Sequence, residues 1–480
     1  MKYILDHKGK MYRKFFEDIA AIPHESFKEK ALSDYIVKFA QDRGLWCHQD
    51  EVWNVIVKKP AYKGYEKHPP VMIQGHIDMV CVKTAESNHN FDTDPLKLYV
   101  EDGFLKAKDT TLGADCGHGI SYMLGILDDK DLKHPPLECV FTVQEEVGIG
   151  GPKYLDYSLL TAKRLIFTDS MEEGRPELST TSVLGGNFIK NIHFNKYEKQ
   201  ENFLKISAEG MKGGHAAVDI NSGRANAIKV ISRLLYNILK KTDIKICDIK
   251  GGTLINNIPN KAEVVFSCMN PEPINDVINK MNADLKFEFR DSDADIYVKL
   301  EKADCCERYL DEETVRKIIE WLQLIPTGTY MSSPTEPDFP WTSRNLGTIN
   351  IKNDKVIAGY QFRSSMKSHI DMLFDEQKIL SAIFNIDWEE KFSYPGYVAE
   401  AGSPMYKVYE KVYEEATGKK LIDKHIHAGT DVGTIIKGMG GLDVIGIGPN
   451  TYKFHTPDEC MELESYDRAY QYIVKVLENL

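Results

Sequence analysis

The sequence predicts an α/β fold, a mostly parallel mixed sheet flanked by helices, interrupted by an inserted α+β domain. Three observations carry this. Short apolar strand patterns alternate with helical patterns in the first third of the chain. The middle changes texture, with strand patterns set beside long amphipathic stretches. The last segment returns to helix, strand and helix, the alternation expected of a largely parallel sheet covered by helices.

The elements follow in order. The first segment reads as helices; Ser26 and Glu29 have capping-box spacing before an apolar-periodic stretch that runs to Phe39 and Ala40, and Gly44 stops it. Strands are expected at Val71–Gln74, Val140–Val143 and Arg164–Thr168, with a helix from Gly119 to Leu127 between the first two. In the middle, Phe203–Ala208 reads as a strand and Arg224–Leu239 as a helix on an i, i+3, i+4 pattern. Further strands are expected at Glu263–Ser267 and Asp295–Leu300. After Tyr394-Pro-Gly396 come a helix from Pro404 to Ala416, a glycine-rich turn, a strand at Leu442–Ile447 and an amphipathic helix from Ser465 to Leu480. Clusters of Pro, Gly and Asp near 184–187 and 392–404 mark boundaries. They give a discontinuous domain, 1–183 and 393–480, with 184–392 inserted. A chain of 480 residues exceeds what one hydrophobic core usually serves, which agrees with two domains.

Composition narrows the function classes. Hydrophobic residues make up 42% and charged residues 28%, ordinary for a globular chain. The net charge of −12 argues against nucleic acid or an anionic membrane as partner. Met1–Lys8 lacks the apolar core of a signal peptide, and no stretch approaches a membrane span. The nine cysteines are scattered without a CxxC, and Cys305-Cys306 is the one vicinal pair. A reduced, cytoplasmic chain is expected.

Several metal-ligand side chains fall just past apolar strands. His76 and Asp78 follow Val71–Gln74, Glu145 and Glu146 follow Val140–Val143, and Asp169 follows Leu165–Thr168. His455 lies in the loop beyond Val444–Ile447, and Asp115 lies in a glycine-rich loop that opens a helix. Sites in open α/β sheets form outside the carboxyl ends of strands, so one sheet would gather these residues. Each alone has an ordinary role: a surface polar pair, a solvated edge, a helix N-cap, a turn histidine. Together they supply imidazole and carboxylate, which suit Zn²⁺, or Mn²⁺ and Co²⁺. Asp115 is the natural bridge between two ions, with His76 and Asp169 on one and Glu146 and His455 on the other. Asp78 can accept the other ring N–H of His76. Glu145 is left to take a proton from water at the metals.

At these residues the chain resembles the M20 metallopeptidases, and more narrowly the aminoacyl-histidine (Xaa-His) dipeptidases of PepD type. The resemblance runs nearly end to end. It is carried by Gln74-Gly-His-Ile-Asp-Met-Val80, Thr110-Thr-Leu-Gly-Ala-Asp115, Phe141-Thr-Val-Gln-Glu-Glu146 and Asp169-Ser-Met-Glu-Glu-Gly174. Gly213-Gly-His215, Asn257-Ile-Pro259, His427-Ala-Gly429 and His455-Thr-Pro-Asp-Glu459 extend it. It implies a zinc-peptidase type of catalytic domain and the ligand, base and orienting roles reasoned above. It further implies a lid and dimerisation domain, a homodimer, and His215 steadying an oxyanion in cis or from the partner subunit. Arg363 would bind the substrate carboxylate, and Asn257 would be a further contact. The expected reaction is hydrolysis of a dipeptide, of Xaa-His type or broader. An N-acyl amino-acid deacylase on the same metals, or a non-catalytic peptide-binding protein, are the alternatives. Three positions depart from the pattern: Cys116, His118 and Asp431, the last an Asp where relatives often carry Glu.

Overall fold

The computed structural model describes residues 3–198 and 202–480; Met1 and Lys2, the start of the segment read for a signal peptide, lie outside the described residues. The chain divides into two compact units, Met1–Thr180 with Gly396–Leu480, and Thr181–Pro395. The boundaries expected from sequence differ from these by a few residues.

The first unit is built on a six-stranded sheet. Its strands are β1 (Trp46–Gln49), β2 (Val55–Lys59), β3 (Val71–His76), β4 (Leu137–Thr142), β5 (Arg164–Phe167) and β6 (Asp443–Gly446), in the order β1-β2-β4-β3-β5-β6. Strands β4, β3, β5 and β6 run parallel. The β1-β2 and β2-β4 pairs are antiparallel. The register brings His76 opposite Thr142, Gln74 opposite Phe167, and Phe167 opposite Gly446. The carboxyl ends of four strands therefore reach the same level, and the loops leaving them share one rim.

The residue pattern explains why these strands sit in the centre. Every residue of β3 and β4 is buried, and the apolar ones alternate between two cores. Val71, Ile73, Cys139, Phe141, Ile166 and Ile445 pack on one face with Phe15, Phe16, Ile36 and Ile473. Met72, Val140, Leu165, Phe167 and Val444 pack on the other with Val432 and Ile435. Each such aliphatic side chain contributes ~1.5–3 kcal/mol on burial, so a one-residue slip would exchange the two faces and is strongly disfavoured. The helices of this unit are α1 (Met11–Ala20), α2 (Lys30–Asp42), α3 (Ala114–Asp128), α4 (Pro404–Thr417), α5 (Asp431–Met439) and α6 (Leu463–Asn479). A second, four-stranded sheet joins Leu98–Glu101 and Phe104–Ala107 to Cys460–Glu462 and Thr451–Tyr452; the segment carrying His455 is the connection between its last two strands in sequence.

The second unit is a nine-stranded sheet with antiparallel pairing, covered by Ala227–Leu239, Glu272–Glu288, Glu312–Leu324 and Lys367–Ile383. Its first and last strands, Ser182–Asn191 and Asp387–Tyr394, pair with Val183 opposite Tyr394. The insertion therefore enters and leaves at neighbouring points.

One local expectation is corrected. Ser26 and Glu29 do not form a capping box: α2 starts at Lys30, Glu29 is its cap residue, and no side chain closes that cap. Phe27 stands between them at φ 68°, which turns both side chains elsewhere. The Ser26 hydroxyl donates to Asp78 Oδ2 at 2.8 Å, and Glu29 Oε1 accepts from the Gln144 N–H at 3.0 Å. The helix expected from Gly119 begins earlier, at Ala114, with Asp115 and Cys116 in non-helical conformations in its first turn.

Candidate metal centre

The rim of the sheet places its ligand-type side chains by simple means. His76 is the last residue of β3. Asp169 stands two residues past the end of β5, and Glu145 and Glu146 three and four past the end of β4. Asp115 enters from the first turn of α3, and His455 comes from its loop at φ 63°.

Asp115 lies in the middle. Its Oδ1 is 2.9 Å from His76 Nε2 and its Oδ2 is 3.1 Å from His455 Nε2. His76 Nε2 is also 3.6 Å from Asp169 Oδ1. His455 Nε2 is 2.9 Å from Glu146 Oε1. The residues fall into two neighbouring sets, His76 with Asp169 and His455 with Glu146, and the two oxygens of Asp115 face one set each. Among the described residues three groups have donor atoms close enough to hold an ion: His76, Cys116 and Asp169; His76, Glu145 and Glu146; Asp115, Glu146 and His455. Two imidazoles among this many carboxylates suit a divalent transition ion better than Mg²⁺ or Ca²⁺, which favour all-oxygen sets.

Electrostatics give the same picture. Burial and the charge of Asp115 push Asp169 well above the usual carboxylate range. Burial also raises Glu145, and the charges of Glu146, Asp431 and Asp169 add to it against the pull of His76. For the histidines burial acts the other way and is outweighed. The Asp169 charge and the bond to Asp115 hold His76 well above its ordinary value. Bonds to Asp115 and Glu146 hold His455 up at about 10. Carboxylates gathered out of water are costly unless positive charge joins them. Divalent cations at this cluster would meet that demand.

Around the cluster the polar groups are committed. The Asp78 carboxylate accepts from the Ser26 hydroxyl, from the Glu145 N–H at 3.0 Å and from the Glu146 N–H at 3.2 Å. Its Oδ1 stands 3.4 Å from His76 Nδ1, whose shorter contact, 3.0 Å, is with the Asp78 backbone carbonyl. Asp78 thus holds the turn that carries both glutamates as well as facing the histidine. The Glu145 carboxylate accepts no hydrogen bond among the described residues, whereas Glu146 is tied to His455. Asp431, the first residue of α5, accepts from the Thr142 hydroxyl and from Gln74 Nε2 at 3.3 Å, while its Oδ1 is buried without a partner. That places it beneath the ends of β3 and β4. His118 has its two ring nitrogens against the carbonyls of Ala114 and Thr168, and the one N–H of the neutral ring donates to one of them. Cys116 Sγ contacts Thr168 Oγ1 at 3.8 Å.

The sequence alone assigns no role at the site to Glu459, Ser26, Glu29, Gln74 or Thr142, though each lies in or near a motif named above. Their partners are mostly backbone N–H groups or buried side chains far away in sequence. Only the HTPDE segment hinted at Glu459.

His215, Asn257 and Arg363 belong to the second unit. Gly214-His215 pairs with Asn257-Ile258 as a short ladder. A Cβ at Gly214 would lie 2.3 Å from Arg224 and 2.4 Å from Asp219, so glycine is required there. The Ala217 N–H donates to His215 Nδ1 at 3.2 Å, and Asn256 Nδ2 lies 3.4 Å from its Nε2. Arg363 is 5% exposed, and its Nε has no hydrogen-bond partner among the described residues. Asn345 Nδ2 donates to the carbonyls of Ile255 and Asn257 at 3.0 and 2.8 Å, fixing the segment that carries Asn257.

Comparison with known proteins places this arrangement. The sequence pattern described as Peptidase family M20/M25/M40 matches residues 72–479. The cytosol non-specific dipeptidase of Escherichia coli (strain K12) is 31% identical over 469 residues, 97% of this chain and 96% of that protein. The crystal structure of aminoacylhistidine dipeptidase from Vibrio alginolyticus superposes with a TM-score of 0.83 at 30% identity, over 98% of this chain and 96% of that one. Aminopeptidase PepT from Bacillus cereus shares the fold, with a TM-score of 0.56 at 16% identity over 98% of each chain.

Proposed function

The chain belongs to peptidase family M20/M25/M40, and on that premise we propose that it is a metal-dependent dipeptidase acting on Xaa-His or a broader set of dipeptides. The observation that carries this reading is Asp115, with one oxygen toward His76 and the other toward His455. The proposed ligands are His76 and Asp169 for one ion, Glu146 and His455 for the other, and Asp115 for both. The ions are Zn²⁺, with Mn²⁺ and Co²⁺ as chemically similar choices. When bound, such a pair polarises a carbonyl and acidifies water.

The residues of the chain do the rest. Glu145, unengaged beside the cluster, accepts the proton of the attacking water and returns it to the leaving amine. Asp78 keeps His76 and the Glu145-Glu146 turn in place. His215 donates to the developing oxyanion, in cis or from a second copy of the chain. Arg363, a buried guanidinium, pairs with the substrate carboxylate, and Asn257 is a further contact. In this reading the inserted unit is a lid and dimerisation domain, the chain is a homodimer, and the protein is cytoplasmic. Among the described residues no helix is long and apolar enough to cross a membrane.

An N-acyl amino-acid deacylase would use the same ligands and base. A hydrolysis panel separates the two: Xaa-His dipeptides, other dipeptides, tripeptides and N-acetyl amino acids, each with added Zn²⁺, Mn²⁺ or Co²⁺. Dipeptides should give the highest kcat/KM. Preference for N-acetyl amino acids would overturn the dipeptidase reading.

A further inference from the structure

His455 and Asp115 meet across 340 positions of sequence, and their loops touch at a second point. Glu459, four residues after His455, is 2% exposed. Its Oε2 accepts from the Leu112 N–H at 2.8 Å and the Gly113 N–H at 3.1 Å, and its Oε1 from the Ala114 N–H at 2.9 Å. Three successive backbone donors converge on one carboxylate because Gly113 sits at φ 68°, an anion-binding nest at the mouth of α3. The next residue is Asp115. One side chain therefore clamps the loop that presents His455 to the loop that presents Asp115. Of the other supports of the His455 segment, the Thr451 N–H donates to the Met171 carbonyl and Cys460–Glu462 pairs with Phe104–Lys106, and the rest are local. The Glu459 N–H donates to the Thr456 carbonyl, the Thr456 hydroxyl donates to the Lys453 carbonyl, and the short Thr451–Tyr452 strand pairs with Cys460–Glu462. None of these reaches Asp115.

We infer that Glu459 is a positioning residue that sets the Asp115–His455 spacing and so selectively governs the ion held by Asp115, Glu146 and His455. The inference rests on the two-ion reading above. The other ion shares Asp115 but takes His76 and Asp169 from β3 and β5, which Glu459 does not touch, so it should be affected less.

The test is a Zn²⁺ titration of the stripped full-length protein against a competing chromophoric chelator. The unaltered chain should bind two equivalents; fewer would overturn the two-ion reading itself, separately from the inference. In Glu459→Gln one acceptor oxygen becomes an amide that faces backbone donors. The second equivalent should weaken by ~10–100-fold and the first by clearly less, and hydrolysis should return at raised Zn²⁺. A merely structural role would weaken both equivalents to the same degree or shift only the melting temperature. Either of those results, or unchanged affinity for both equivalents, overturns the inference. Should Glu459→Gln fail to fold, Glu459→Asp, whose shorter arm cannot span all three donors, is titrated by the same criteria.

Discussion

Glu145 and Glu146 are sequence neighbours with different surroundings. Glu146 is bonded to His455, while the Glu145 carboxylate is unengaged and raised by burial and by surrounding negative charge. Glu145→Gln keeps the shape and removes the proton acceptor. It should lower kcat by ~10²–10⁴-fold with metal content unchanged, read by steady-state kinetics beside elemental analysis. Near-normal turnover would remove Glu145 from the mechanism. His215→Ala should lower kcat with bound metal retained; loss of metal would make it a ligand. The ligand-type residues were legible in the sequence because chemistry and strand-end position coincide. The load on Asp78 was not: a carboxylate that accepts N–H groups 67 and 68 residues away leaves no local pattern. Glu459 escaped for the same reason.

Packing between elements accounts for what holds the rim steady. α1 and α6 are joined at Asp467, which receives Arg13 through Nε at 2.9 Å and Nη2 at 2.6 Å, Lys10 at 2.6 Å and the Tyr12 hydroxyl at 2.9 Å. Burial would raise Asp467, but the bonds from Arg13, Lys10 and Tyr12 outweigh it and depress its pKa. A carboxylate depressed on folding stabilises the fold above its unfolded pKa of about 3.9 and loses that contribution as pH falls through the folded value. Asp467→Asn should therefore cost ~1–3 kcal/mol at neutral pH, with the deficit shrinking below about pH 4, measured by urea unfolding across pH. A deficit independent of pH would contradict the ionic account. The central strands were readable because their apolar runs are uninterrupted. The strands Pro340–Lys352 and Lys355–Ser364 were not, because Ser343, Asn345, Gln361 and Arg363 are buried on them. A buried polar face hides the alternation on which strand reading depends.

At the scale of the molecule, the inserted unit has its own core and returns to where it began, with Val183 opposite Tyr394. The proposed ligands all lie in the other unit. Replacing 182–395 by a short Gly/Ser linker should leave a folded, metal-binding first unit that lacks His215 and Arg363 and turns over dipeptides poorly. Circular dichroism, metal analysis and kinetics would read the three properties; full activity in the shortened chain would refute the roles given to the insert. The α/β class and the presence of an insert were visible in the change of texture along the chain, since each domain writes its own periodicity. The pairing of the insert's two ends was not, because it joins strands about 200 residues apart, a separation that periodicity cannot report.

If Asp115 gathers two ions, turnover depends on both. The most direct test strips the protein with a chelator and follows Xaa-His hydrolysis as Zn²⁺ is returned. The account predicts that activity disappears on stripping and returns as about two equivalents bind per chain. Undiminished hydrolysis by the stripped protein would contradict it, as would full recovery at about one equivalent.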